Sequence, residues 1–267
     1  MVRFFLLSLA ALAIIPNFAS AVEIKNARPC YMSLGATRFD AKYLPGDVVF
    51  LTYDIEGLGI DPKSKLTGYV TILELVDPLG KIIFKNESKL TEVMPQLGGT
   101  RMPGDLHVIL GPKQGPGNYS IKLSVHDKVG KDSKAIEFKF AVLPEDFGLV
   151  GVSAPAIGFP GQRYVLGLAL INLGLDAKKL PNVEVTLRIL DRKGTEVAPA
   201  VQSFLPRDLP EDTDLTKANF VELPQLIYLN QTGQFLVEVI AQDKLSKKTA
   251  KVQYPLTVLD ISQFLGR

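Results

Sequence analysis

The sequence predicts an all-β chain of two tandem antiparallel β-sandwich domains behind a signal peptide. Three observations carry that prediction. Apolar residues recur at a period of two, as at Val49, Leu51, Tyr53 and Ile55, so one face of each segment enters a core and the other does not. Glycine and proline punctuate the chain at Pro78, Gly98-Gly99, Pro103-Gly104, Pro112, Pro116-Gly117 and Pro206, which suits short strands joined by turns. The pattern also occurs twice. Pro45-Gly46 recurs as Pro160-Gly161, 115 residues on, a spacing that fits a duplicated domain rather than a solenoid unit.

The first element is a signal peptide over residues 1–21. Arg3 supplies the positive start, Phe4 to Ile15 the apolar stretch, and Ala19-Ser20-Ala21 a small-residue cleavage site. The apolar stretch falls short of the ~20 residues that a membrane-spanning helix needs. The mature chain is therefore expected to be secreted or periplasmic, without a transmembrane segment. Residues 22–143 then form the first domain and 144–267 the second, with the break at Pro144-Glu145-Asp146, where a proline and two charges interrupt the alternation.

The strands follow in matching pairs. Val49 to Ile55 matches Tyr164, Leu166, Leu168 and Leu170. Tyr69, Thr71, Leu73 and Leu75 lead into Asp77 and Gly80, as Val183, Val185, Leu187 and Ile189 lead into Asp191 and Gly194. Asp-x-x-Gly closes both, because these residues tolerate the backbone angles of a tight reversal. Gly117 precedes Tyr119, Ile121, Leu123 and Val125, then Asp127-Lys128. Gly233 precedes Phe235, Val237, Val239 and Ala241, then Asp243-Lys244. Ile136, Phe138, Phe140 and Val142 match Val252, Tyr254, Leu256 and Val258. Strands are expected near 32–36, 48–56, 69–76, 80–85, 105–110, 119–126 and 136–143, with counterparts in the second copy.

These residues carry a resemblance. A Gly-x-Tyr start to a penultimate strand resembles the tyrosine corner of immunoglobulin-like sandwiches, which Tyr119 has the hydroxyl to form and Phe235 does not. The Asp-turn, Pro-Gly and Gly-Tyr pattern is similar to Ig-like or macroglobulin-like repeat modules of exported bacterial proteins, and to secreted proteins of the planctomycete type. The resemblance implies a scaffold and brings no active site with it.

Two strands stand out. Pro255 cannot donate to a ladder, so the last strand is expected at a sheet edge or broken there. Tyr164 to Ile171 is apolar on both phases. Val165, Ala169 and Ile171 therefore mark a contact with a partner or with the first domain, or else a strand covered by a loop.

Little in the chain points to chemistry. His107 and His126 are its two histidines, and Cys30 its single cysteine, too few for a zinc site of the usual kind or an intrachain disulfide. His126 neighbours Asp127, but successive strand residues face opposite sides. No Gly-x-Ser-x-Gly elbow or phosphate loop occurs. Asp208, Glu211, Asp212 and Asp214 form an acidic loop whose spacing matches no calcium loop, so a solvated loop is the simpler reading. Without Arg3 the chain has 29 basic and 28 acidic residues, which argues against nucleic acid as a partner. Lysines gather around the last hairpin of each copy: Lys128, Lys131 and Lys134, then Lys244, Lys247, Lys248 and Lys251. Such tips suit either an anionic partner or simple edge protection.

The expected function is an exported, non-enzymatic binding, adhesion or structural module, without a cofactor or a metal. Its partner is expected to be a protein or a cell-envelope polysaccharide, with Val165, Ala169, Ile171, Lys244, Lys247, Lys248 and Lys251 as the candidate surface. Two alternatives stand behind it: a periplasmic assembly factor or envelope subunit that pairs through the edge strand near Tyr254, and a polysaccharide-acting enzyme using loop carboxylates such as Asp212 and Asp214.

Overall fold

The computed structural model describes residues 21–207 and 220–260; the signal segment and the acidic loop from Asp208 lie outside them. The chain is all-β, with no helix among the described residues. In the first half these are β1 (Glu23–Cys30), β2 (Lys42–Tyr43), β3 (Val48–Glu56), β4 (Thr67–Val76), β5 (Ile82–Glu87), β6 (Thr91–Val93), β7 (Met102–Ile109), β8 (Gly117–Asp127) and β9 (Ser133–Val142). The second half follows with β10 (Gly148–Ser153), β11 (Ile157–Gly158), β12 (Arg163–Ile171), β13 (Val183–Leu190), β14 (Val201–Leu205), β15 (Phe220–Glu222), β16 (Gln225–Tyr228), β17 (Gly233–Asp243) and β18 (Lys248–Val258).

The halves repeat one topology. In the first, β1-β3-β7 form one sheet and β2-β9-β8-β4-β5 the other, with β6 also against β4. In the second, β10-β12-β15 form one sheet, with β16 also on β12, and β11-β18-β17-β13-β14 the other. The residues that alternate in the sequence fill two cores. Val49, Leu51, Tyr53, Ile55, Leu73, Leu75, Ile121, Leu123 and Val125 meet in one. Tyr164, Leu166, Leu168, Leu170, Val183, Val185, Val237, Val239 and Tyr254 meet in the other.

The repeated turns have a common chemistry. Asp77 Oδ1 accepts from the N–H groups of Leu79 and Lys81, and Asp191 Oδ1 from those of Lys193 and Thr195. Gly80 and Gly194 both take φ of 81°, a left-handed angle that glycine adopts without a Cβ penalty. Asp127 and Asp243 do more than start a hairpin. Both are buried. Asp127 binds Val129 and Gly130 of its own turn and Gly59 after β3, while Asp243 binds Leu245 and Ser246 and reaches Gly174 after β12. Each carboxylate thus ties its final hairpin to the loop of the opposite sheet.

The tyrosine corner is present on one side only. The Tyr119 hydroxyl donates to the Gly115 carbonyl at 2.8 Å and accepts from Gln114 Nε2 at 2.9 Å. Pro255 sits opposite Leu236 of β17, on a stretch of β18 that β11 does not cover, so it leaves no ladder bond unmade.

Two expectations need correction. Residues 32–36 are not a strand; the strand lies earlier, at Glu23–Cys30. Its alternation is obscured by Glu23, Lys25, Asn26 and Arg28 on an edge, and by a bulge between Lys25 and Arg28 where Asn26 takes φ of 52°. The sheets are also not wholly antiparallel. After leaving the first sheet, the chain adds β2 parallel to β9 and β11 parallel to β18, two residues each.

Candidate functional site

The main construction beyond the two cores is where they meet, and it grows from a length difference. Eleven residues, 31–41, separate β1 from β2, whereas three, 154–156, separate β10 from β11. The longer connection crosses into the second half. Tyr31 and Ala36 are buried in the second half's core. The Ala36 N–H donates to the Ala154 carbonyl at 2.9 Å, and Gly35 bridges to Pro155. The Tyr31 ring packs 5.9 Å from that of Tyr254, and its hydroxyl donates to the Gln253 carbonyl at 3.5 Å. Gly35 is required here, since a Cβ at this position would lie 2.9 Å from the Ala154 carbonyl oxygen.

Arg38 and Asp47 lock the crossing. Arg38 Nη1 meets Asp47 Oδ2 at 2.8 Å, its Nε meets Asp40 at 2.8 Å, and its guanidinium lies 3.9 Å from the centre of the Tyr43 ring. Asp47 Oδ1 then accepts from the Val48 N–H and, across the junction, from the Gly151 N–H at 3.0 Å. Burial disfavours the charge on Arg38, but Asp47, with Tyr43 and Asp40, more than offsets it and holds the guanidinium firmly protonated. Burial also pushes the Tyr31 hydroxyl up to about 12, so it stays a donor.

Beside this lock a cleft of about 720 Å³ runs between the halves, lined among others by Pro45, Pro112, Lys113, Leu168, Glu222 and Pro224. It is mostly apolar, with Lys113, Glu145 and Glu222 as its charged lining residues. Ala169 and Ile171 line it, but they are buried, packed with Val150 against Leu44 of the first half. The outward apolar phase of β12 is thus largely accounted for by contact between the halves. Val165, further down the strand, is 54% exposed and remains open to solvent.

The lysine tips are partly occupied. Lys244 pairs with Glu184 at 2.8 Å, Lys248 with Asp146 at 2.6 Å and Lys251 with Glu238 at 2.6 Å. Lys247 and its counterpart Lys131 hold the left-handed turn positions, at φ of 61° and 56°. His107 is exposed on β7 beside Phe50, and His126 is half-buried opposite Val70, so the two are on different sheets. Cys30 is buried, and that burial pushes its thiol pKa up, away from the reactive thiolate. Among the described residues no three metal-binding side chains gather.

Sequence reasoning missed Tyr31, Arg38 and Asp47. The signal was the unequal spacing of the two copies between their first strands, with Tyr31, Arg38, Phe39 and Asp40 inside the longer connection and Asp47 just after it.

No protein-family model matches the chain, and no curated protein does. Among solved structures it is similar to red sea bream transglutaminase at 11% identity and a TM-score of 0.31, over 89% of this chain and 31% of that one. The chain thus spans less than a third of that protein's length, and a likeness this low carries no argument about activity.

Proposed function

We propose that the chain is an exported, non-enzymatic binding or structural module whose two Ig-like domains, 22–143 and 144–267, act as one rigid body. The observation that supports this reading is the interlock: Tyr31 and Ala36 in the far core, and Asp47 bonded to Gly151 across the junction. A body that cannot flex loses little conformational freedom on binding, which is what a recognition scaffold needs. Pairing of a client strand near Tyr254 has weaker support. That edge is closed by Ala156 at Thr257, by Pro255 itself and by Tyr31 at Gln253. The test is a crosslinking pull-down of the mature chain from its own cell envelope, repeated at high salt. Recovery of a specific envelope protein or polysaccharide supports the reading. Turnover of an envelope polymer by the purified protein would overturn it.

A further inference from the structure

We propose that β5 is a self-association edge, through which two copies of the chain pair antiparallel about a two-fold axis at Phe84. Four observations lead there, independently of the binding role above.

First, β5 closes its sheet: it pairs with β4 on one side and, among the described residues, with no strand on the other. The Ser88 N–H donates to the Thr71 carbonyl, and ladder bonds alternate along an antiparallel pair. Phe84 and Asn86 therefore direct their backbone groups at β4, opposite Leu75 and Leu73. Ile83, Lys85 and Glu87 direct theirs at the open edge.

Second, the edge is apolar where edges are usually protected. Ile82, Ile83 and Phe84 are 47, 42 and 48% exposed, and Leu79 in the preceding turn is 92% exposed. Phe84 stands opposite Leu75, on the core-side face, yet it is half exposed and lies outside the core cluster of that half.

Third, the usual protection is spent elsewhere. Lys85 turns to Glu74 on its own sheet at 2.8 Å, which neutralises the lysine that would repel a second strand. The matching edge in the second half, β14, is Val-Gln-Ser-Phe-Leu, is followed at once by Pro206, and has the Arg207 guanidinium 4.8 Å from the Phe204 ring. The copy at the same topological position is guarded; β5 is not.

Fourth, the charges fit a second copy. A two-fold axis at Phe84 sets Ile83 across from Lys85, Ile82 across from Asn86, and Lys81 across from Glu87 at both ends, where the long lysine stem reaches past the bulge at Ile82–Ile83. Moving the axis by one residue either way breaks that match, leaving Glu87 across from Leu79 or Ile83 instead of a lysine. A six-residue ladder is small, so the dimer is expected to be weak and concentration-dependent.

Sedimentation equilibrium of the purified protein, from about 5 to 200 µM, tests this. The natural protein should shift from monomer to dimer over that range. Phe84→Lys should abolish the shift without altering the far-ultraviolet dichroism. Lys81→Glu should weaken the dimer about tenfold, and the double swap Lys81→Glu with Glu87→Lys should restore it. Phe84→Cys should form an interchain disulfide on mild oxidation, because facing residues of a non-hydrogen-bonded pair lie about 4.5 Å apart at Cα. A monomer throughout, or a dimer that Phe84→Lys leaves intact, overturns the proposal.

Discussion

Replacing Asp47 with asparagine should loosen the junction while leaving both cores filled. The side chain is 3% exposed, and its partner Arg38 11%. The amide keeps the volume and one acceptor oxygen, so the Val48 and Gly151 N–H groups stay partnered, though more weakly than by a carboxylate. What changes most is Arg38, which loses a charged acceptor inside the protein. Removing one partner of a buried ion pair costs about 3–5 kcal/mol. Arg38 retains Asp40, whose side chain is 58% exposed and therefore a weaker counter-ion, so the lower end applies, about 3 kcal/mol. Urea denaturation measures this directly. The chain has no tryptophan, so near-ultraviolet dichroism of its tyrosines is the natural probe, and Tyr31 against Tyr254 reports on the junction itself. The Asp47→Asn protein should lose about 3 kcal/mol and part of its tyrosine signal, whereas Asp40→Asn should lose under about 1 kcal/mol. A loss below about 1 kcal/mol for Asp47→Asn, with the tyrosine signal intact, would refute the argument that this pair holds the halves together.

Three further outcomes follow from the same structure. Tyr119→Phe removes the hydroxyl that joins Gly115 and Gln114 and should cost about 1–1.5 kcal/mol by urea titration, whereas Phe235→Tyr should bring no comparable gain. Ile171→Asp buries a charge against Leu44 and Val150 and should lower the melting temperature of the isolated protein, a change seen by calorimetry with no ligand present. Burial works against ionisation of Asp243, but the Ser246 hydroxyl and the N–H groups of Gly174, Ser246 and Leu245 outweigh it and hold its pKa below the usual carboxylate value. Its stabilising effect is thus present above the unfolded pKa, near 4, and fades as pH falls through the lower folded value. Acid titration of stability should be flatter for Asp243→Asn than for the natural protein, and parallel curves would exclude this role for the carboxylate.

The fold was legible because its cores obey a simple rule. The strands that build the cores bury an apolar face, and period two reports it in residues such as Ile121, Leu123 and Val125. β1 was not legible, because an edge strand with a bulge and four charged or polar side chains has no such face to display. The turn aspartates were visible as turn residues, but not the reach of Asp127 and Asp243 across to Gly59 and Gly174, which depends on loops brought close only by the packed sheets. On the surface of β12 the sequence left a partner and the first half as rival explanations. Ala169 and Ile171 are covered by Leu44, while Val165 is not. The junction itself was illegible for a plain reason: Tyr31 belongs to one repeat by position and to the other by burial, and periodicity within a repeat carries no sign of that.

The crossing segment also limits how the chain can be divided. A cut at Pro144, the obvious seam, would strip the downstream half of two side chains that line its interior and leave an opening beside Tyr254. The two copies look like interchangeable cassettes, yet one carries the stopper for the other. Swapping, duplicating or deleting either one means redesigning residues 31–41 as well.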